Sequence, residues 1–280
     1  MANRNFMDLL RAKWEQGKFV CVGLDSDYGK LPPVCKFNNP LISIVAFNKA
    51  IIEATADLVC AYKPNLAFYI MHGSDGIQAL SMTMDWIKKL APDVPVILDA
   101  KFADIGNTNI GYAKFVFDYL GADAVTLHPY LGKSALQPFL ERKDKGCIIL
   151  CRTSNPGAGE FQDMVSEQAL YERVAHKVTF YWNGNQNCCL VAGATYPEEL
   201  AKIRTCAGDL PLLIPGIGKQ GGDLEATIQN GIDSKGQGII INSSSGIIFA
   251  SSGEDFANRA RRETQKLHYD INDILAKLKT

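Results

Sequence analysis

Eight short, continuously apolar runs recur along this chain of 280 residues, each followed by a stretch with helical spacing. They are "FVCVGLD" (19–25), "DLVCAYK" (57–63), "PVILDAK" (95–101), "ADAVTLH" (122–128), "GCIILCR" (146–152), "NCCLVAG" (187–193), "LPLLIPG" (210–216) and "GIIINSS" (238–244). Runs of this length, apolar at nearly every position, read as strands buried on both faces, as in a parallel sheet covered by helices. The intervening segments include "PLISIVAFNKAIIEATA", "GIQALSMTMDWIKKLA", "IGYAKFVFDYLG", "KSALQPFLERK", "MVSEQALYERVAHKVTFYW", "YPEELAKIRTCA" and "GGDLEATIQNG", and a last helix is expected over roughly 253–279. Eight β units alternating with eight α units over about 250 residues predict a (β/α)8 or TIM barrel of the α/β class. No linker or composition break interrupts residues 1–280, so a single domain is expected, with an N-terminal helix in "MANRNFMDLLRAKWEQGK". The competing architecture, an open doubly wound sheet, is weakened because no G-x-G-x-x-G follows the first strand.

Composition narrows the classes of function. Net charge is -1, which gives no electrostatic reason for a nucleic-acid partner or a membrane surface. The one basic cluster, "NRARRETQK", reads as the solvated face of the last helix. No apolar stretch is long enough to span a bilayer, and the N-terminus lacks the apolar core and cleavage site of a signal peptide. The eight Cys are not spaced C-x-x-C, and most sit in apolar runs, as buried thiols of a reducing cytoplasm would. The four His form no H-x-x-x-H pair, so no metal site is expected.

In a barrel of this kind chemistry gathers at the C-terminal ends of the strands. The polar residues that fall there are Asp25, Lys63, Asp99 and Lys101, with Asp104 just beyond. Asp99 and Lys101, two apart on a strand, are expected to share a face. Taken singly, each has a plain structural reading: an internal Asp99–Lys101 ion pair, or Asp104 as a helix N-cap. Together they do not, because burying several charges costs kcal/mol each unless all are paired, and such clusters collect at active sites.

A second constellation, "LIPGIGKQGGD" (213–223), follows the seventh strand and opens a helix. Its glycines allow close backbone approach, and free N–H groups at a helix start favour an anion. The loops after strands seven and eight are a common phosphate site in barrels. The long loop "TSNPGAGEFQDM" after strand five is either a binding loop or an inert surface loop. Ser154 within it could cap a turn or bond a polar ligand. His128 reads as a polar strand-end residue.

The D-x-K-x-x-D core of "LDAKFADIGNT" (Asp99, Lys101, Asp104) resembles the catalytic motif of the orotidine 5'-monophosphate decarboxylase family. "VGLD", "YKPN", "TSNPG", "PGIGKQGGD" and "INSS" with "GII" are similar to that family too and come in its order along nearly the whole chain. The core motif alone is shared with metal-dependent sugar-phosphate aldolases and epimerases, and the ensemble is more specific. The resemblance implies decarboxylation of orotidine 5'-monophosphate (OMP) to uridine 5'-monophosphate (UMP) in pyrimidine biosynthesis, with no cofactor. It implies Lys101 as proton donor, Asp99 against the substrate carboxylate, and Asp25 and Lys63 on the ribose, with Lys63 also bonding Asp99. Ser154 would meet the pyrimidine edge. Pro215, Gly218 and Gln220 would belong to the phosphate loop. In a homodimer, Asp104 and Thr108 would reach the neighbouring subunit's site.

One position departs from the pattern. Where the family has a phosphate-binding Arg after "NSS", this chain has Ser245. A hydroxyl can donate one hydrogen bond but carries no charge. The lost charged contact is worth about 1.5–3 kcal/mol, and Lys219 is a candidate to compensate. The departure also motivates a different class of function, a weakly active nucleotide-phosphate-binding protein.

Overall fold

The computed structural model describes residues 4–217 and 222–278. Within them the eight expected strands all form: β1 (Val20–Leu24), β2 (Val59–Pro64), β3 (Ile97–Phe102), β4 (Ala124–Leu127), β5 (Gly146–Arg152), β6 (Cys188–Ala192), β7 (Leu212–Pro215) and β8 (Ile239–Ser243). They run parallel in the order β2-β1-β8-β7-β6-β5-β4-β3. The two ends of that row meet. Parallel bridges pair Tyr62 with Val96 and Asn65 with Asp99. The Tyr62 and Leu66 N–H groups donate to Pro95 and Asp99 carbonyls, each at 3.1 Å. The sheet is therefore a barrel nearly closed on itself, as the alternation predicted.

Strands β1, β2, β4, β6 and β8 are buried at every position. That burial explains why they carry no polar alternation: helices cover the outside and side chains fill the inside. The first helix, α1 (Phe6–Glu15), starts at Asn5, whose side chain accepts from the Met7 and Asp8 N–H groups. It closes the N-terminal end of the barrel. Phe6 lies against Gly146, where any Cβ would come within 2.4 Å of the ring. The Trp14 indole donates to the Ile239 carbonyl at 2.8 Å, and the Arg4 guanidinium forks onto Asp123 at 3.0 and 2.8 Å.

The outer layer follows the sequence pattern with informative exceptions. Helix α2 (Pro40–Thr55) begins with Asn39 as side-chain cap and Pro40 in its first turn. A single-turn α3 (Ala67–Ile70) precedes α4 (Gly73–Leu90). Helices α5 (Gly106–Ala113), α6 (Gly132–Leu140) and α7 (Leu170–Lys177) cover β3 to β5. The chain after α5 and after α7 winds on as π-helix over Lys114–Tyr119 and Val178–Trp182. Helical spacing suggested that α7 starts near Met164. Instead Val165 and Ala169 form an antiparallel bridge, and Glu172 closes the turn by accepting from the Ala169 N–H at 3.2 Å. Helices α8 (Pro197–Ala207) and α9 (Leu224–Gly231) follow. After β8 comes α10 (Ser245–Ile248), too short to show a period in the sequence, and then α11 (Phe256–Lys277).

Candidate active site

A cavity of about 710 Å³ opens at the C-terminal rim of the barrel. Asp25, Lys63, Asp99, Lys101, Ser154, Pro215 and Ser245 all line it. They come from six different strand ends, so only closure of the barrel brings them together.

The floor carries a row of charge. Asp99 lies between two ammonium groups, with Lys63 Nζ 3.0 Å from its Oδ2 and Lys101 Nζ 2.6 Å from its Oδ1. Asp25 stands behind Lys63, Oδ1 to Nζ at 3.9 Å. Burial by itself would raise the Asp99 carboxyl, but Lys63 and Lys101 outweigh it and hold the group well below the usual carboxylate range. Burial would likewise discharge Lys63, yet Asp99 and Asp25 raise it above the ordinary lysine range. Asp99 and Lys63 are thus both charged at neutral pH. Lys63 is 5% exposed and Asp99 10%, whereas half of the Lys101 side chain (49%) meets the cavity and solvent. An ammonium held on one side by a fixed carboxylate and open on the other can deliver a proton to a ligand.

Strand alternation is not what places Lys101 beside Asp99. The β3–β4 ladder steps from Leu98–Val125 to Phe102–Leu127, leaving three residues of β3 facing one of β4. In this bulge Lys101 takes φ 51°, a left-handed conformation. For a non-glycine residue that costs on the order of 1–3 kcal/mol and persists only where surroundings enforce it. The bulge, rather than a regular pleat, turns both side chains into the cavity.

The opposite wall is built by the loop after β5. Arg152 is 3% exposed and forks onto Asp163 at 2.8 and 3.0 Å, while its guanidinium stacks 3.8 Å above the Tyr196 ring. Gln162 Oε1 accepts from the Thr153 N–H at 2.8 Å. These contacts fix the loop that presents Ser154. Gly193 leaves room for it, since a Cβ there would lie 2.8 Å from the Ser154 nitrogen. At the β7 end Gly216 takes φ 107°, and Gly222 donates back to its carbonyl at 3.2 Å. Gly218, Lys219 and Gln220 lie outside the described residues. Asp104 and Thr108 do not line the cavity. The Asp104 carboxylate accepts from the Ile105 N–H at 2.6 Å, and Thr108 is exposed.

Residues 18–260 match the Orotidine 5'-phosphate decarboxylase / HUMPS family. The chain belongs to this family. Among its relatives, an Orotidine 5'-phosphate decarboxylase of Herpetosiphon aurantiacus is 48% identical over 93% of this chain and 95% of its own. One from Cellvibrio japonicus is 44% identical over 96% and 98%. The solved structure of Leishmania donovani OMP decarboxylase superposes with a TM-score of 0.84 at 36% identity, covering 97% of this chain and 98% of that one.

Within the family frame, several residues in or beside the cavity escaped the sequence reading. Thr126 is buried in β4 and touches Asp99. Its one available signal was a lone hydroxyl in the otherwise apolar run "AVTL". Asn65, in "YKPN", approaches Asp99 Oδ2 at 3.5 Å. Asn242 lines the cavity, and its buried Oδ1 has no hydrogen-bond partner among the described residues. Lys30, after β1, reaches the same cavity while paired with Asp27 at 2.7 Å.

Proposed function

We propose that this chain is a carboxy-lyase that converts OMP to UMP without a cofactor, using the charge row on the cavity floor. The observation that carries the reading is the Lys63–Asp99–Lys101 array, whose three side chains all line the cavity, with Lys63 and Asp99 nearly out of water and Lys101 half-exposed. The names of the relatives favour the same reading over a sugar-phosphate aldolase or a bare binding protein. Among the described residues no cluster of three or more His, Cys, Asp or Glu is arranged to hold a metal.

The chemistry follows from the charges. In the substrate complex the orotate carboxylate would lie against Asp99. Two like charges about 4 Å apart repel by roughly 4 kcal/mol at an effective dielectric of 20. The C6–carboxylate bond breaks, CO2 departs neutral, and the electron pair stays on C6. The Lys101 ammonium stabilises that developing charge and then transfers a proton from Nζ to C6. The amine recovers a proton from solvent through its exposed side. A cation fixed in advance where charge develops is the kind of stabilisation that contributes most to catalysis. Asp25 and Lys63 would hold the ribose, and Ser154 the pyrimidine edge. The phosphate would sit between the β7 and β8 ends near Pro215, Gly218, Gln220 and Ser245. It lies far from C6 and supplies binding energy to the reacting end. The reading includes a homodimer in which Asp104 and Thr108 complete the neighbour's site. Their position outside their own cavity supports it.

The test is direct. Purified protein given OMP should consume it, followed by absorbance, equally with and without a chelator. Absence of turnover, or its loss on chelation, would sink the reading.

A further inference from the structure

We infer that Thr126 on β4 is a positioning residue: its hydroxyl pins the β3 bulge and so aims the Lys101 amine. This rests on the reading of Lys101 as proton donor. Thr126 is 1% exposed and sits opposite the bulge. A threonine hydroxyl offers one donor and two acceptor positions, and here all three are taken by one short segment. The Ala100 and Lys101 N–H groups each donate to Oγ1 at 3.0 Å. The hydroxyl in turn donates to Asp99 Oδ1 at 2.9 Å.

The three contacts divide the labour. The β3–β4 ladder skips Ala100 and Lys101, so the side chain of Thr126 takes over two backbone donors that the strand cannot pair. Once both N–H groups point at Oγ1, the hydroxyl hydrogen has a single direction left, toward Asp99. That oxygen of Asp99 is the one that holds Lys101 Nζ at 2.6 Å. One side chain therefore clamps both ends of Lys101: its left-handed backbone through the amide, and its amine through the carboxylate. Lys101 itself is half-exposed. Without the clamp, its backbone would relax toward ordinary values and carry the amine away from C6.

Thr126→Val keeps the shape and removes the hydroxyl, while Thr126→Ser keeps the hydroxyl. Misplacing a reacting group by about 1 Å costs about 100-fold, so kcat of Thr126→Val should fall by about that factor. KM for OMP should stay within about threefold, because substrate binding is not what the hydroxyl serves. Thr126→Ser should keep kcat within about fivefold of the parent, since the same three hydrogen bonds re-form. If Thr126→Val does not fold, Thr126→Ala compared with Thr126→Ser gives the same contrast. A kcat near the parent's without the hydroxyl, a rise in KM as large as the fall in kcat, or a serine variant no better than valine overturns the inference. Lys101→Ala is assayed alongside. If it still turns over, the assignment of Lys101 fails and takes this inference with it. If it is inert while Thr126→Val keeps its kcat, only the role of Thr126 falls.

Discussion

Lys63 Nζ and Asp99 Oδ2 face each other at 3.0 Å across β2 and β3, with both side chains almost out of water. A buried pair of this kind adds little net stability, yet removing one partner strands the other at a cost of about 3–5 kcal/mol. The pair therefore behaves as one unit, and Lys101 is added to it from the side that faces the cavity.

Lys101→Ala should abolish OMP turnover and leave the fold intact. The side chain is half-exposed, and its loss leaves Asp99 paired with Lys63. The thermal midpoint should stay within a few degrees of the parent. Removing Lys101 also lifts a strained lysine out of φ 51°, so Lys101→Gly should be the more stable of the two inert variants, by about 1 kcal/mol. Calorimetry beside the absorbance assay checks both points.

Asp99→Asn should destabilise the protein by about 3 kcal/mol at neutral pH, because Lys63 is left buried and charged. The pH dependence has a definite sign. The folded carboxyl is held below its unfolded value. Its contribution is therefore fully present above the unfolded pKa of about 3.9 and is lost as pH falls toward the lower folded value. Lys63 has the opposite shift, so its contribution is full below about 10.4 and is lost only as pH rises through its raised folded value. The stability gap between parent and Asp99→Asn should be flat from pH 6 to 8 and narrow below about pH 4. Denaturant titrations across that range would show it, and a gap that widens in acid would contradict the assignment.

Ser245→Arg should raise kcat/KM by about 10- to 100-fold, the equivalent of one charge-assisted hydrogen bond to phosphate. The gain should appear for OMP and be absent for a substrate lacking the phosphate. Equal rates for parent and variant would mean that another cation, such as Lys30 or Lys219, already serves the phosphate.

Gly23→Ala should cost about 1–3 kcal/mol and lower activity, because its Cβ would fall 1.8 Å from Ser244 Oγ. The displaced residue adjoins Ser245, so the phosphate end of the site should move with it. Combining the change with Ser244→Gly should recover most of the lost stability. A double-mutant cycle that shows no coupling would mean the strand end adjusts without help.

The strands were legible because two-sided burial leaves a chain no option but unbroken apolar runs, and all eight fall within about two residues of the expected limits. The charged strand ends were legible because Asp25, Lys63, Asp99 and Lys101 interrupt those runs where a core would not tolerate them. The bulge was not. No glycine or asparagine marks position 101, since its left-handed backbone is enforced from β4 by Thr126 rather than favoured locally. Thr126 itself looked like a strand threonine. Its importance lies in three contacts that exist only after β3 and β4 are side by side. The start of α7 was misplaced for a related reason: helical spacing from Met164 onward is outweighed by the Val165–Ala169 bridge.

The barrel is joined between β2 and β3 by two isolated bridges instead of a continuous ladder, and one of them pairs Asn65 with Asp99. The clasp of the cylinder is thus also part of the proposed reactive centre. When the molecule breathes on warming, this join should part first, and the ammonium–carboxylate row comes apart with it. Heat should silence the enzyme at temperatures where most of its helices and strands are still in place.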